Sequence, residues 1–326
     1  MYSTPERVVA TQKANPLSLE IACDMGAHKN SVAERRLTPR VSAVIATVGR
    51  SSLRATVESV HQQSVPLYEV IVVNDSPNQI SVTPDLCTDV TEEFTGGRRG
   101  PSAARNRGVN LATGDLIAYL DDDDVWLPDH IAGALHWFDE LPELDLYSCV
   151  MLESHASSQE PSSKVVYSGR QSLIDFFYGR YCWAGRRRSI PPSTWVFRRE
   201  TCNVPMDEDL AVHEDIWFLL NLDNRGKCIR QWATIGGLKF SDATRTQGRD
   251  TTDVLVDWID RLESLREGSG RRFLIGVKGR EYARKGMRDE WTEMMTRQPR
   301  WKVPWDYRMV YAVEKIALSR RGQGRS

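Results

Sequence analysis

Apolar residues recur along this chain with two periods, and the change from one to the other marks its elements. Val41–Thr47 of "VSAVIATVGR" is β-rich and apolar, whereas in "SSLRATVESVHQQ" Leu53, Val57 and Val60 fall on one helical face. "YEVIVVNDSP" is a second apolar run that ends in Asn74, Asp75 and a proline turn. Strand, helix, strand, with both strands apolar along their length, predicts a βαβ unit of a parallel sheet. Polar loops and ligands gather at the C-terminal edge of such a sheet.

Further along, "GGRRGPSAARNRGVNLATGD" predicts a helix, with Pro101 in its first turn and Gly114 past its end, and "LIAYL" predicts a third strand. A helix at "LPDHIAGALHWFDEL" follows, then short strands around "LYSCVML" and "SKVVYSG", and an arginine-rich loop, "YCWAGRRRSIPPS". "TWVFRRE" reads as a strand and "HEDIWFLLNLDNRG" as a helix stopped by Gly226. The pattern divides the chain into a tail over 1–38 with a short helix near 17–23, an α/β domain over 39–245, and a basic helical extension over 246–326. No internal repeat is visible.

"GDLIAYLDDDDVWLPDH" raises the chemical question, because four consecutive aspartates follow a buried strand. Adjacent carboxylates repel by roughly 1 kcal/mol per pair at 4 Å in water and about 4 where water is partly excluded. Hydration as an acidic turn relieves this, with Asp124 or Asp129 favouring the N-terminal end of the next helix. A divalent cation such as Mn²⁺ or Mg²⁺ relieves it too, since these ions take one or two protein carboxylates and fill the remaining positions with phosphate oxygens and water. A helix cap needs one carboxylate, not four, so position at the sheet's C-terminal edge favours the cation with a nucleoside diphosphate.

Composition narrows the classes. In 326 residues, 40% hydrophobic and 27% charged, the chain is an ordinary globular one, and disorder throughout is excluded. The 43 basic and 44 acidic residues nearly balance, but positive charge gathers in residues 271–326. That tail suits phosphates or an anionic membrane surface, while the whole chain is not a nucleic-acid-binding composition. The six cysteines include no CxxC pair, and the first residues lack the apolar core of a signal peptide, so reduced thiols in a cytoplasm are expected. No apolar run reaches the ~18 residues of a membrane span.

The order "VSAVIATVGR", "VIVVNDS", "GPSAARNRGVNLATGDLIAYLDDDDVW", "IPPSTWVFRRE", "MDEDLAVHEDIWFLLNL" resembles the family 2 glycosyltransferases over about residues 40–240. The resemblance implies a GT-A fold, a Rossmann-like and mainly parallel mixed sheet flanked by helices. It implies inverting, metal-dependent transfer of a sugar from a nucleotide-sugar donor, with UDP the commonest nucleotide. It assigns Asp75 to the nucleobase, Thr47 and Arg50 to the same nucleotide pocket, and Arg105 to donor phosphate or sugar. The family's DxDD pattern falls on Asp121, Asp123 and Asp124, giving Asp121 to the ribose or donor sugar and Asp123 to the metal. Asp122 stands beside them on the donor side, with the register open by one residue.

A base must take the proton of the acceptor hydroxyl, and the resemblance assigns this to Asp215 of "HEDIW". Glu214 then orients the loop or meets the acceptor, while Arg186, Arg187 and Arg188 of the arginine-rich loop border the acceptor side and suit an anionic acceptor or the donor diphosphate. Acidic residues in the first turn of a helix are also favoured by its dipole alone. His213 carries no expected role.

Where many members of the family have a metal-binding histidine, this chain has "LKFSDATRT" with Lys239. The metal is then held by Asp123, diphosphate and water, or held weakly. "QPRW" at 298–301 is one residue short of the processive polymerases' QxxRW, so single addition is expected. The acceptor is left open among glycan, lipid-linked sugar, metabolite and protein. A C-terminal basic helix suits peripheral contact with the inner membrane face. Two alternatives stand beside this reading: a nucleotidyltransferase acting on sugar phosphates, and a non-catalytic module that binds a nucleotide or partner.

Overall fold

The computed structural model describes residues 38–278 apart from 79–80, 82–88, 156–157, 180–186 and 241–250, with a few residues between 281 and 297. The expected tail up to 37, Arg186, the 298–301 motif and the C-terminal membrane-facing helix lie outside the described residues.

Strand β1 (Val41–Thr47) lies at the centre of a parallel block, with β2 (Glu69–Asn74) on one side, β4 (Leu116–Asp121) on the other, and β3 (Val90–Phe94) beyond β2. Antiparallel β8 (Val196–Arg198) then joins β4 to β6 (Leu146–His155), which runs parallel to β9 (Ile229–Phe240). Strand β7 (Ser158–Pro161) forms a hairpin on β6. Strand β5 (Asp124–Trp126) follows β4 after two residues yet pairs with β9 at the far end of the strand order. The sheet therefore curls until its last strand returns to the end of β4, and the aspartates sit at that closure.

Side chains alternate between the two faces of each strand. Val44, Ile117 and Tyr119 meet helices α2 (Pro101–Leu111), α4 (Leu173–Tyr178), α5 (Glu214–Asn224), α6 (Thr252–Leu265) and α7 (Ser269–Phe273). Ala43, Ile45, Leu116, Ala118 and Leu120 meet α1 (Leu53–His61) and α3 (His130–Glu140) on the other face. Each large side chain so buried contributes about 1.5–3 kcal/mol.

Helix α2 lies close to the sheet, because a Cβ on Gly108 would sit 2.3 Å from Val44 Cγ1. Leu255, Trp258, Ile259, Leu262 and Phe273 belong to the same core, so α6 and α7 complete the body of the sheet beyond the boundary expected at 245.

One expected strand is corrected. Residues 163–169 of "SKVVYSG" are irregular, and their backbone bonds go to Arg187 and Gln231 instead of to a ladder. The hairpin strand forms earlier, at β7.

Candidate active site

The acidic run ends β4 and begins β5, and strand alternation divides it between the two faces. Asp121 turns to the α2/α5 face and Asp122 to the α1 face. Asp122 is 1% exposed. Its Oδ2 accepts from Thr47 Oγ1 at 2.6 Å and from the Val48 N–H at 3.2 Å, and its Oδ1 pairs with Arg50. Thr56 Oγ1 donates to the carbonyls of Asp122 and Asp124 at 3.1 and 2.9 Å, which fixes the turn to α1. Thr47, Arg50 and Asp122, all expected on the donor, thus form one internal knot between β1, α1 and the acidic turn.

Asp121, Asp123 and Asp124 remain together, each with a carboxylate oxygen within 4.8 Å of the others. Asp124 is fully buried; its Oδ2 accepts from Ser193 Oγ at 2.6 Å and lies 4.0 Å from Lys239 Nζ. Its Oδ1 has no hydrogen-bond partner among the described residues. Burial pushes the Asp124 carboxyl up to about 7, with Asp121 and Asp123 adding to the rise and Lys239 and Ser193 opposing it. Three converging hard oxygens, one of them buried with an open lone pair, fit Mn²⁺ or Mg²⁺. The opposite register of Asp124 and Lys239 on β5 and β9 is what sets the lysine there.

Arg105 is 4% exposed and reaches from α2 to two carboxylates: Asp121 at 2.6 Å and Glu214 at 3.4 Å. It joins the acidic strand end to the start of α5 without reaching open solvent. Burial and the neighbouring Asp215 push Glu214 up to about 7, against the opposing pull of Arg105. Asp215 Oδ1 accepts from the Ile216 N–H at 2.8 Å. Asn106, next to Arg105, donates to the Met206 carbonyl and accepts from its N–H, both at 2.9 Å, so α2 also holds the loop leading to α5.

Asp75 stands apart from the cluster, at the end of β2. Its Oδ1 accepts from Thr95 Oγ1 and from the Arg99 N–H at 2.8 Å, and its Oδ2 from the Gly100 N–H at 2.9 Å. It organises the loop over 95–100, where Gly96, Gly97, Arg98 and Gly100 have positive φ. Of the expected acceptor residues, Arg187 grips Glu153 with two bonds of 2.5 and 2.7 Å, and Arg188 lies over the Phe176 ring at 5.8 Å.

Ser193 had no expected role, although its motif "IPPST" was noted. Besides Asp124, it accepts from the Asp121 N–H at 3.1 Å and its carbonyl accepts from Trp126 Nε1 at 2.6 Å. A serine after two prolines is a fixed donor, and that was the available signal.

Residues 42–203 match the family model described as glycosyl transferase family 2. The chain belongs to this family. It is therefore a glycosyltransferase, which sets aside the nucleotidyltransferase and the non-catalytic module. The family match ends before Glu214 and Asp215. "Amylovoran biosynthesis glycosyltransferase AmsB" of Erwinia amylovora is 25% identical over 54% of this chain and 60% of its own length. This chain thus spans less than two thirds of AmsB. "Uncharacterized glycosyltransferase YwdF" of Bacillus subtilis is 27% identical over 84% of this chain and 98% of its own. Among solved structures, S. aureus TarS 1-349 in complex with UDP-GlcNAc has a TM-score of 0.59 at 16% identity, covering 78% of this chain and 79% of that TarS 1-349 chain. The fold is GT-A. Among the described residues, no helix is long and apolar enough to cross a membrane.

Proposed function

We propose that this glycosyltransferase moves a single sugar from a nucleoside-diphosphate donor, a UDP-sugar, to an acceptor hydroxyl with inversion at the anomeric carbon. The observation that carries the reading is the double ion pair of Arg105, which places the acidic end of β4 beside the carboxylates that open α5. One cluster of hard oxygens and the helix start that carries the candidate base are thereby joined through a single buried side chain. UDP-GlcNAc and UDP in complexes of TarS support the choice of nucleotide.

In this reading Asp215 accepts the proton of the acceptor hydroxyl as its oxygen attacks the anomeric carbon, and the bond from that carbon to the diphosphate oxygen breaks on the opposite face. The electron pair of that bond leaves with the nucleoside diphosphate. Asp121, Asp123 and Asp124 would hold Mn²⁺ or Mg²⁺, which would supply Lewis-acid charge for the departing diphosphate. Lys239, beside Asp124, adds positive charge to the same edge. Arg105 fixes Asp121 and Glu214, and Thr47, Arg50 and Asp122 fix the floor below the donor. Asp75 shapes the loop against which the base of the nucleotide rests. Arg187 and Arg188 border the acceptor side, where the class of acceptor is a glycan, lipid-linked sugar, metabolite or protein.

Calorimetry tests the donor site: UDP and GDP are titrated into the full chain with and without Mn²⁺, alongside Asp123→Ala. Metal-dependent binding of UDP, lost in the variant, is expected. A folded protein that binds neither nucleotide under either condition overturns the donor assignment.

A further inference from the structure

The turn that aims Asp215 is built by residues outside the family match. His213 precedes α5 with φ 64 and ψ 15, a left-handed conformation uncommon outside glycine, although asparagine, aspartate and histidine adopt it more often than other residues. Its carbonyl accepts from the Trp217 N–H at 2.9 Å, closing the first turn of α5. The direction in which Glu214 and Asp215 leave the helix start therefore depends on keeping His213 in this conformation.

Contacts from the C-terminal helices hold it there. The imidazole stacks on Trp258 of α6, with centroids 4.9 Å apart and planes 26° apart, while Phe273 of α7 meets its edge at 5.8 Å and 81°. Both aromatic side chains are almost fully buried. A second tether runs from Arg261 of α6, whose guanidinium bonds Asp207 at 2.6 Å and lies 5.4 Å above the Trp217 ring. Trp217 in turn meets Trp258 at 6.0 Å and 75°. On its other side the same loop is held by Asn106 and Arg105 of α2.

We propose that α6 and α7 form a clamp that positions the base, with His213 as the positioning residue through which they act. The proposal rests on the assignment of Asp215 as base. It differs from a purely structural role for α6 in one respect: loosening the clamp should lower the rate of the chemical step while leaving donor binding at the end of β4 intact.

The test uses the full chain carrying His213→Asn, which tolerates the left-handed backbone but loses the ring stack, and Trp258→Ala with Trp258→Phe as its conservative partner. Hydrogen exchange is read at residues 214–218, with β1 and β4 as internal references. Nucleotide release is measured from a panel of UDP-, dTDP- and GDP-sugars with water as acceptor. For His213→Asn we expect exchange at the start of α5 to rise at least tenfold with β1 and β4 unchanged, kcat to fall at least tenfold, and donor KM to stay within about twofold. Trp258→Phe should restore most of what Trp258→Ala loses. Unchanged exchange at 214–218 in His213→Asn overturns the clamp, and it does so even where no panel sugar turns over. An Asp215→Asn variant separates the two claims. If it is inactive while His213→Asn keeps the wild-type kcat, the clamp alone fails; if Asp215→Asn turns over normally, the assignment of the base fails and the clamp's catalytic role with it.

Discussion

Arg105→Ala is the substitution whose cost the structure fixes best. The guanidinium is buried, 2.6 Å from Asp121 and 3.4 Å from Glu214, and its aliphatic stem runs within a well-packed helix face on the sheet. Removing it strands two carboxylates that already feel other acids, Asp123 and Asp124 on one side and Asp215 on the other. Breaking a buried pair by deleting one partner typically costs about 3–5 kcal/mol, because the remaining charge stays uncompensated. Arg105→Lys keeps the charge, but a single ammonium does not span both carboxylates. It should cost about 1.5–3 kcal/mol, the worth of one charge-assisted hydrogen bond. Urea unfolding at neutral pH measures both, and a cycle with Glu214→Gln isolates the coupling, expected at about 1–3 kcal/mol. An Arg105→Ala loss below about 1 kcal/mol, or a cycle with no coupling, would refute the bridge between strand end and helix start.

Two further outcomes follow from the same geometry. Asp122→Ala should cost about 2–4 kcal/mol in stability, since it leaves Arg50 and Thr47 facing an empty knot, whereas Asp123→Ala should be neutral or stabilising in unfolding melts and abolish Mn²⁺ binding in calorimetry. The Glu214 carboxyl, raised to about 7 by burial and Asp215, holds its proton more tightly folded than unfolded. Its contribution to stability is complete below its ordinary value near 4.5 and lost as pH rises through about 7. Glu214→Gln should therefore flatten the fall in melting temperature between pH 5 and 8; a wild-type and a variant curve of equal slope would rule this out.

The parallel block was legible because its strands are apolar on both faces and its helices carry punctuation, as at Pro101 and Gly226. Strand β9 was not, since "IRQWATIGGLKF" mixes polar residues with two glycines. Its identity as a strand comes from pairing with β6 and β5, contacts remote in sequence. β3, with Glu92 and Glu93 at its middle, was hidden for the same reason. Spacing also located the chemistry without resolving its directions. Nothing in "DDDD" says that its second carboxylate bonds Thr47, nor does "ARNRG" say that Arg105 is spent on Asp121 and Glu214. Such distinctions depend on which face each residue takes once the strand is placed, and on partners as far as 75 and 109 positions away. His213 was passed over because a left-handed residue leaves no mark in a sequence when it is not glycine.

The split of the acidic run between two faces of the sheet bears on how a mutational scan of this protein is to be read. Scored by activity alone, alanine at 121, 122, 123 and 124 would give four inactive variants and suggest four equivalent ligands. Scored by protein abundance as well, the four should separate: position 122 is lost because the chain no longer accumulates in folded form, and position 123 is lost while folded protein persists. One contiguous motif in the sequence then contains two independent selective pressures, one exerted through the partners of Asp122 on β1 and α1 and the other through the carboxylates that converge with Asp123.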